Sequence, residues 1–236
     1  MPTDYAPSFR DRQEAGLALA ASLMSFAASR PLVLALPRGG VPVAFEVAKA
    51  LDTDMDLLFV RKLGLPGDEE YGFGAVVDGT GAEVIVNEAY VRKAGIDPQT
   101  IRDIAERQLA EIERQRRLYV KNRPPASVAG RIVIVVDDGI ATGGTMHAAL
   151  RAIRQKSPAQ LVMAVPVAPP DTMAMLRTEC DHVVCLLQPR RFRAVGAYYR
   201  NFEQVKDTDV ARLIAQADQM AQERKARQPE RRSDSA

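Results

Sequence analysis

Val133-Ile-Val-Val-Asp-Asp-Gly-Ile-Ala-Thr-Gly-Gly-Thr145 is the stretch that decides how this chain is read. An unbroken apolar strand runs into two carboxylates, Asp137 and Asp138, and then into a turn of small residues that opens a helix. A strand without polar alternation belongs in a parallel sheet covered on both faces. Open parallel sheets bind their ligands beyond the carboxyl ends of the strands. A helix N-terminus offers an anion unpaired N–H groups and the positive end of the dipole. Ala141, Thr142, Gly143, Gly144 and Thr145 form such a cradle, the glycines admitting a phosphate close to the backbone and the threonines adding hydroxyls. The lysine and spacing of a Walker A loop are missing, as is GxGxxG. Bare polyphosphate is repelled by the acidic pair. Ribose 5-phosphate fits both halves, with phosphate on the cradle and hydroxyls donating to Asp137 and Asp138. A plain strand-to-helix turn with an acidic N-cap is the alternative, but it needs only one carboxylate and no TGGT.

Working outward, the alternation of strand and helix continues on both sides. Downstream, the spacing predicts a helix over 144–156, a strand over 160–165, a proline-started helix over 169–178 and a strand over 182–187. Upstream come a helix over 10–29, a strand over 31–37, a helix over 41–51 and a strand over 56–60, the order of a right-handed βαβ unit. The glycine-rich stretch 63–82 reads as a mobile loop and hairpin. A charged helix spans 98–121, a connector 123–130, and a last helix starts near Thr208, with 224–236 expected to fray. The whole chain, 1–236, is expected to form one α/β domain: an open, mostly parallel sheet with helices on both faces.

Composition bounds the rest. Lys and Arg number 32 against 30 Asp and Glu, a net charge of +2, a weak footprint for a nucleic-acid binder. Cys180 and Cys185 lack CxxC spacing and read as buried thiols, and two histidines, His147 and His182, are too few for a histidine-rich metal centre. His147 reads as surface or packing. No signal peptide or membrane span is read, so a cytoplasmic setting is expected.

The thirteen residues quoted above resemble the phosphoribosyl pyrophosphate signature of type I phosphoribosyltransferases, position for position. The resemblance extends to Leu36-Pro-Arg-Gly-Gly40, similar to the family's pyrophosphate loop after the first strand, and to Arg61 and Lys62 at the end of the second. It implies that Arg38, Gly39, Lys62 and, second, Arg61 hold pyrophosphate, Gly39 supplying a strained backbone that only glycine adopts cheaply. It implies a flexible lid within about 63–82 and a base-recognition hood over about 188–206. In the hood Phe192, Tyr198 and Tyr199 either stack on an acceptor base or serve as core or dimer contacts. The hood resembles predicted phosphoribosyltransferases without an assigned base, not the adenine, hypoxanthine, uracil or orotate enzymes.

The implied reaction displaces pyrophosphate from phosphoribosyl pyrophosphate by a nitrogen heterocycle through an oxocarbenium-like transition state. Positioning and charge stabilisation drive it, with Mg2+ met by Asp137 or Asp138 directly or through water. No residue is assigned as general acid or base. Homodimers are common in the family, and the helix over 98–121 is a candidate contributor. A regulatory module that binds phosphoribosyl pyrophosphate or a nucleotide without turning it over is the second reading, and a phosphosugar hydrolase the third.

Overall fold

The computed structural model describes residues 8–65, 73–79, 81–121 and 123–227. Helix α1 (Arg12–Leu23), capped by the Asp11 carboxylate on the Glu14 N–H, runs into a 3-10 turn, Met24–Ser29. Strand β1 (Leu32–Ala35), helix α2 (Gly40–Ala50) and strand β2 (Asp54–Leu57) follow. Strands β3 (Phe59–Leu63), β4 (Gly74–Gly79) and β5 (Gly81–Val86) precede helices α3 (Glu88–Ala94) and α4 (Pro98–Tyr119). The second half alternates β6 (Ile132–Val136), α5 (Gly144–Gln155), β7 (Gln160–Val167), α6 (Pro170–Leu176) and β8 (His182–Leu187), then α7 (Asp207–Arg227).

Five strands form one parallel sheet in the order β2-β1-β6-β7-β8. Side chains alternate across it as strand geometry demands. Val33, Ala35, Ile134, Val136, Val162 and Ala164 join the apolar faces of α1, α2, α4 and α7. Leu32, Leu34, Val133, Val135, Leu161 and Met163 join α5 and α6. Helices therefore cover both faces. The chain order reverses between β1 and β6, the position where such sheets open a crevice at their strand ends.

Three differences from the sequence-based expectations have physical causes. The strand expected over 56–60 is two strands in two sheets: β2 ends at Leu57, the Leu58 N–H bonds the Ala35 carbonyl (2.9 Å), and β3 enters an antiparallel sheet with β4 and β5. Leu57, Leu58 and Phe59 are all buried, so periodicity gives no sign of the break. Helix α3, capped by Asn87 and closed by Gly95 at φ 62°, was not anticipated in the glycine-rich neighbourhood. The tail is also ordered further than expected, because α7 continues to Arg227 and Arg224 is buried. Its guanidinium pairs with Asp54 and reaches Asp52 at 3.6 Å, while Arg131 also meets Asp54 at 3.3 Å. Residues 66–72, the middle of the expected lid, and 228–236 lie outside the described residues.

Arg224→Ala is expected to destabilise the protein by about 1–3 kcal/mol, below the cost of breaking a fully buried pair because Asp54 is partly exposed. At this size that is roughly 2–4 °C of Tm for each kcal/mol. An unchanged melting curve would mean that the end of α7 contributes nothing.

Candidate functional site

The crevice between β1 and β6 brings together Arg38, Gly39, Asp137 and Asp138. Asp137 and Asp138 follow β6 directly, and Pro37, Arg38 and Gly39 follow β1 beside them. Contact between the two loops is close enough to exclude side chains. A Cβ on Gly39 would stand 2.2 Å from Oδ2 of Asp138, and one on Gly40 would stand 2.7 Å from the Val136 carbonyl oxygen. Gly39 itself is helical, at φ −59° and ψ −39°, so the expected strained glycine backbone is not what places glycine here. Space for the carboxylate is the reason. The peptide bond between Pro37 and Arg38 is cis.

The glycine-rich turn expected to cradle a phosphate leads directly into α5. Gly143 takes φ 82° at the N-terminus of α5, where a side chain would be strained and would also meet Thr172 Cγ2 at 2.6 Å. No side chain caps the helix, and Ala141, Thr142 and Gly144 are exposed. The first-turn N–H groups of α5 therefore face outward without an intrahelical acceptor. Thr172 steadies the loop from α6 by donating to the Ala141 carbonyl at 2.9 Å.

Strand alternation separates the two cations of β3. Lys62 points at the cradle: a Cβ on Gly144 would lie 3.4 Å from its Cε and 3.8 Å from its Nζ. A cleft of about 600 Å3 opens there, with Lys62, Thr142 and Gly144 at one end and Phe73 and Ile85 along its wall. Arg61 turns the other way and pairs with Glu111 at 3.2 Å. Arg38 pairs with Asp207 at 3.3 Å, and Asp207 also accepts from the Tyr119 hydroxyl at 2.5 Å. Arg38 and Arg61 line one hollow of about 260 Å3, while Arg38 also borders a second, of about 380 Å3, with Gly39, Asp137 and Asp138.

The aromatics of the segment expected to form a hood pack among themselves. Phe192 and Tyr198 stack at 5.8 Å, Tyr199 stacks on Phe202 at 5.0 Å, and Tyr198 and Tyr199 are buried with Phe9 in a third apolar cluster. Packing is thus the role the geometry gives Tyr198 and Tyr199; Phe192 keeps partial exposure. The N-terminal segment pairs with this aromatic segment, Phe9 bridging Tyr199 and the Asn201 N–H bonding the Arg10 carbonyl.

That pairing carries Arg12 into the site, a residue that no local pattern singles out because its partner lies 126 positions away. Its Nε donates to Oδ2 of Asp138 at 2.7 Å, both side chains nearly buried. The Tyr199 hydroxyl also reaches this loop, donating to the Asp138 carbonyl at 2.5 Å. His147 lies on α5 with Nε2 3.1 Å from Glu179, a packing contact at the rim of the cleft. Cys180 and Cys185 are half-buried thiols, each pushed up to about 11 by burial.

Electrostatically, the acidic pair is held out of its comfortable state. Burial, and then the neighbouring charge of Asp138, raises Asp137 well above the usual carboxylate range. Burial also raises Asp138, against the pull of Arg12. Among the described residues Asp137 has no ion-pair partner, and no group of three or more His, Cys, Asp or Glu side chains could cage a metal ion. A carboxylate from this pair beside an open hollow suits a hard cation that keeps most of its shell on water and substrate oxygens, as Mg2+ does.

Residues 12–200 match the phosphoribosyl transferase domain family. Two Mycobacterium tuberculosis proteins, Rv0571c and its counterpart in strain CDC 1551 / Oshkosh, carry provisional names as phosphoribosyl transferases. Each is 42% identical over 209 residues, which cover 89% of this chain and 47% of the relative. The chain thus spans about half the length of these relatives. The crystal structure of TT1426 from Thermus thermophilus is 42% identical, covers 88% of this chain and 98% of its own, and superposes with a TM-score of 0.75. No helix among the described residues is long and apolar enough to cross a membrane.

A raised carboxylate pKa means that Asp137 favours the fold while protonated, and that this contribution fades as pH rises through its folded-state value. Asp137→Asn is therefore expected to raise the Tm of the magnesium-free protein at pH 7. The gain should shrink as pH falls toward the ordinary carboxylate range. A variant less stable than the parent at pH 7 would contradict the buried-charge assignment.

Proposed function

This chain belongs to the phosphoribosyl transferase domain family, and on that premise we propose that it transfers the phosphoribosyl group of phosphoribosyl pyrophosphate to a nitrogen heterocycle, releasing pyrophosphate. One observation carries the reading: the chain leaving β6 passes directly from an acidic pair that shares a hollow with Arg38 and Gly39 to an uncapped glycine-rich helix start that has Lys62 beside it. In this reading the N–H groups and hydroxyls of Thr142 to Thr145 hold the 5-phosphate. Asp137 and Asp138 accept from the ribose hydroxyls, and their charge favours the cation that grows on the sugar as the C1–oxygen bond stretches. Arg38 and Gly39 face the pyrophosphate, with Lys62 and Arg61 flanking it. Bound Mg2+, met by Asp137 or Asp138, would neutralise the leaving group.

The bond to pyrophosphate breaks and the bond to the ring nitrogen forms with no protein nucleophile; the chain's task is to orient the two partners. Water must be kept from the sugar cation, the role proposed for a lid within 63–82. The acceptor would lie under the hood of 188–206, where Phe192 keeps partial exposure for stacking. A homodimer and a cytoplasmic setting belong to the same proposal. A regulatory module is the second reading, and it is favoured by Arg38 and Arg61 already being paired with Asp207 and Glu111.

Pyrophosphate release should be assayed with phosphoribosyl pyrophosphate and magnesium across purines, pyrimidines and other nitrogen heterocycles. Release dependent on one acceptor is the expected result. Release without acceptor would point to hydrolysis, and silence with retained binding to regulation. In calorimetry, Asp137→Asn combined with Asp138→Asn is expected to remove tight magnesium–phosphoribosyl pyrophosphate binding, and unchanged affinity would overturn the ribose assignment.

A further inference from the structure

The two carboxylates after β6 are not equivalent, and Arg12 is what divides them. Its guanidinium is held on three sides. Nε donates to Asp138 at 2.7 Å, Nη1 donates to the Glu203 carbonyl at 2.8 Å, and its carbon sits 3.8 Å above the Phe202 ring. The Arg12 and Asp138 side chains keep 11% and 12% of their exposure, so this is a nearly dry charge pair. Such a guanidinium is not free to swing away, because leaving would abandon a buried carboxylate, a backbone acceptor and a stacked ring together. Asp137 has a different situation: one oxygen accepts the Asp138 N–H at 2.9 Å, and its charge has no partner among the described residues.

We infer that Arg12 is a positioning residue that occupies Asp138 as an internal counter-cation, leaving Asp137 as the carboxylate that meets a divalent cation. Asp138 keeps its second oxygen, enough to accept from a ribose hydroxyl. The fixed cation also prevents the adjacent carboxylates from acting together as a ligand pair, so the site does not hold magnesium tightly before the phosphoribosyl substrate brings its own oxygens. Lysine would keep a positive charge beside Asp138 while losing the directed Nε and Nη1 bonds and the flat contact with the ring. The placement depends on the N-terminal segment being fastened to the hood through Phe9 and Arg10. As far as it concerns substrate, this inference rests on the phosphoribosyl reading above.

The test is a calorimetric titration of Mg2+ alone into the full chain and into Arg12→Gln, Arg12→Lys and the double variant Arg12→Gln with Asp138→Asn. Far-ultraviolet circular dichroism and melting curves establish that each is folded. Arg12→Gln is expected to bind Mg2+ at least about 10-fold more tightly than the parent, because Asp138 is released as a second ligand. Arg12→Lys, which keeps a cation beside Asp138, should stay near the parent value, and the double variant should return to it. A purely structural role for Arg12 would leave Mg2+ affinity unchanged or lowered in Arg12→Gln, and either result overturns the inference. Titration with phosphoribosyl pyrophosphate at saturating Mg2+ separates this from the family reading. If the parent does not bind that ligand, the phosphoribosyl reading fails, while the Mg2+ titrations still decide the role of Arg12. If the parent binds it, Asp137→Asn should cost at least about 10-fold more affinity than Asp138→Asn made together with Arg12→Gln. Equal losses would overturn the division of roles.

Discussion

The reversal of chain order between β1 and β6 is the constraint on which the rest of the molecule depends. Strands to one side of that line send their connections over one face of the sheet, and strands to the other side send theirs over the opposite face. At the line itself no connection covers the strand ends. Two loops therefore lie side by side in an open crevice, and Gly39 and Gly40 are what let them touch, since a Cβ at either would strike the Asp138 carboxylate or the β6 backbone. The crevice is thus fixed by backbone contact, and the chemistry is arranged along its rim.

A second constraint follows from the first. A strand as apolar as β6 leads its chain directly into two carboxylates, so the charges start from a dry surrounding rather than from water. Burial pushes both carboxyl groups toward the protonated state, and the protein answers with a single guanidinium on one of them. The remaining unfavourable charge at Asp137 is the kind of local cost that binding sites carry, to be relieved by a cation or a hydroxyl-rich ligand. The uncapped start of α5 is its counterpart with opposite polarity, a cluster of donors held ready for an anion. In the proposed reading, acceptors and donors following one another after β6 suit a ligand that is anionic at one end and rich in hydroxyls next to it.

Much of this was legible in the sequence, for local reasons. The parallel core could be read because strands buried on both faces are continuous apolar runs, and the cradle because a glycine-rich turn between strand and helix is contiguous in the chain. The split between β2 and β3 was hidden, since Leu57, Leu58 and Phe59 stay buried while the chain moves from one sheet to the other. The cause of glycine at position 39 was also out of reach, because the atom that excludes a side chain there belongs to Asp138, far along the chain. Arg12 was invisible for the same reason: an arginine on the polar side of a helix near the N-terminus looks like any solvated charge until Phe9 is found paired with Tyr199. The opposite directions of Arg61 and Lys62 follow from strand alternation, but only once β3 is known to be a strand of its own sheet.

The most direct measurement is a crystal structure of the protein grown with magnesium and phosphoribosyl pyrophosphate. The expected result is a 5-phosphate seated on the backbone N–H groups of residues 142–145, with the ribose hydroxyls turned to Asp137 and Asp138 and the pyrophosphate toward Arg38 and Lys62. A ligand bound away from the β1/β6 crevice, or a crevice left empty at saturating ligand, would contradict the assignment of this site.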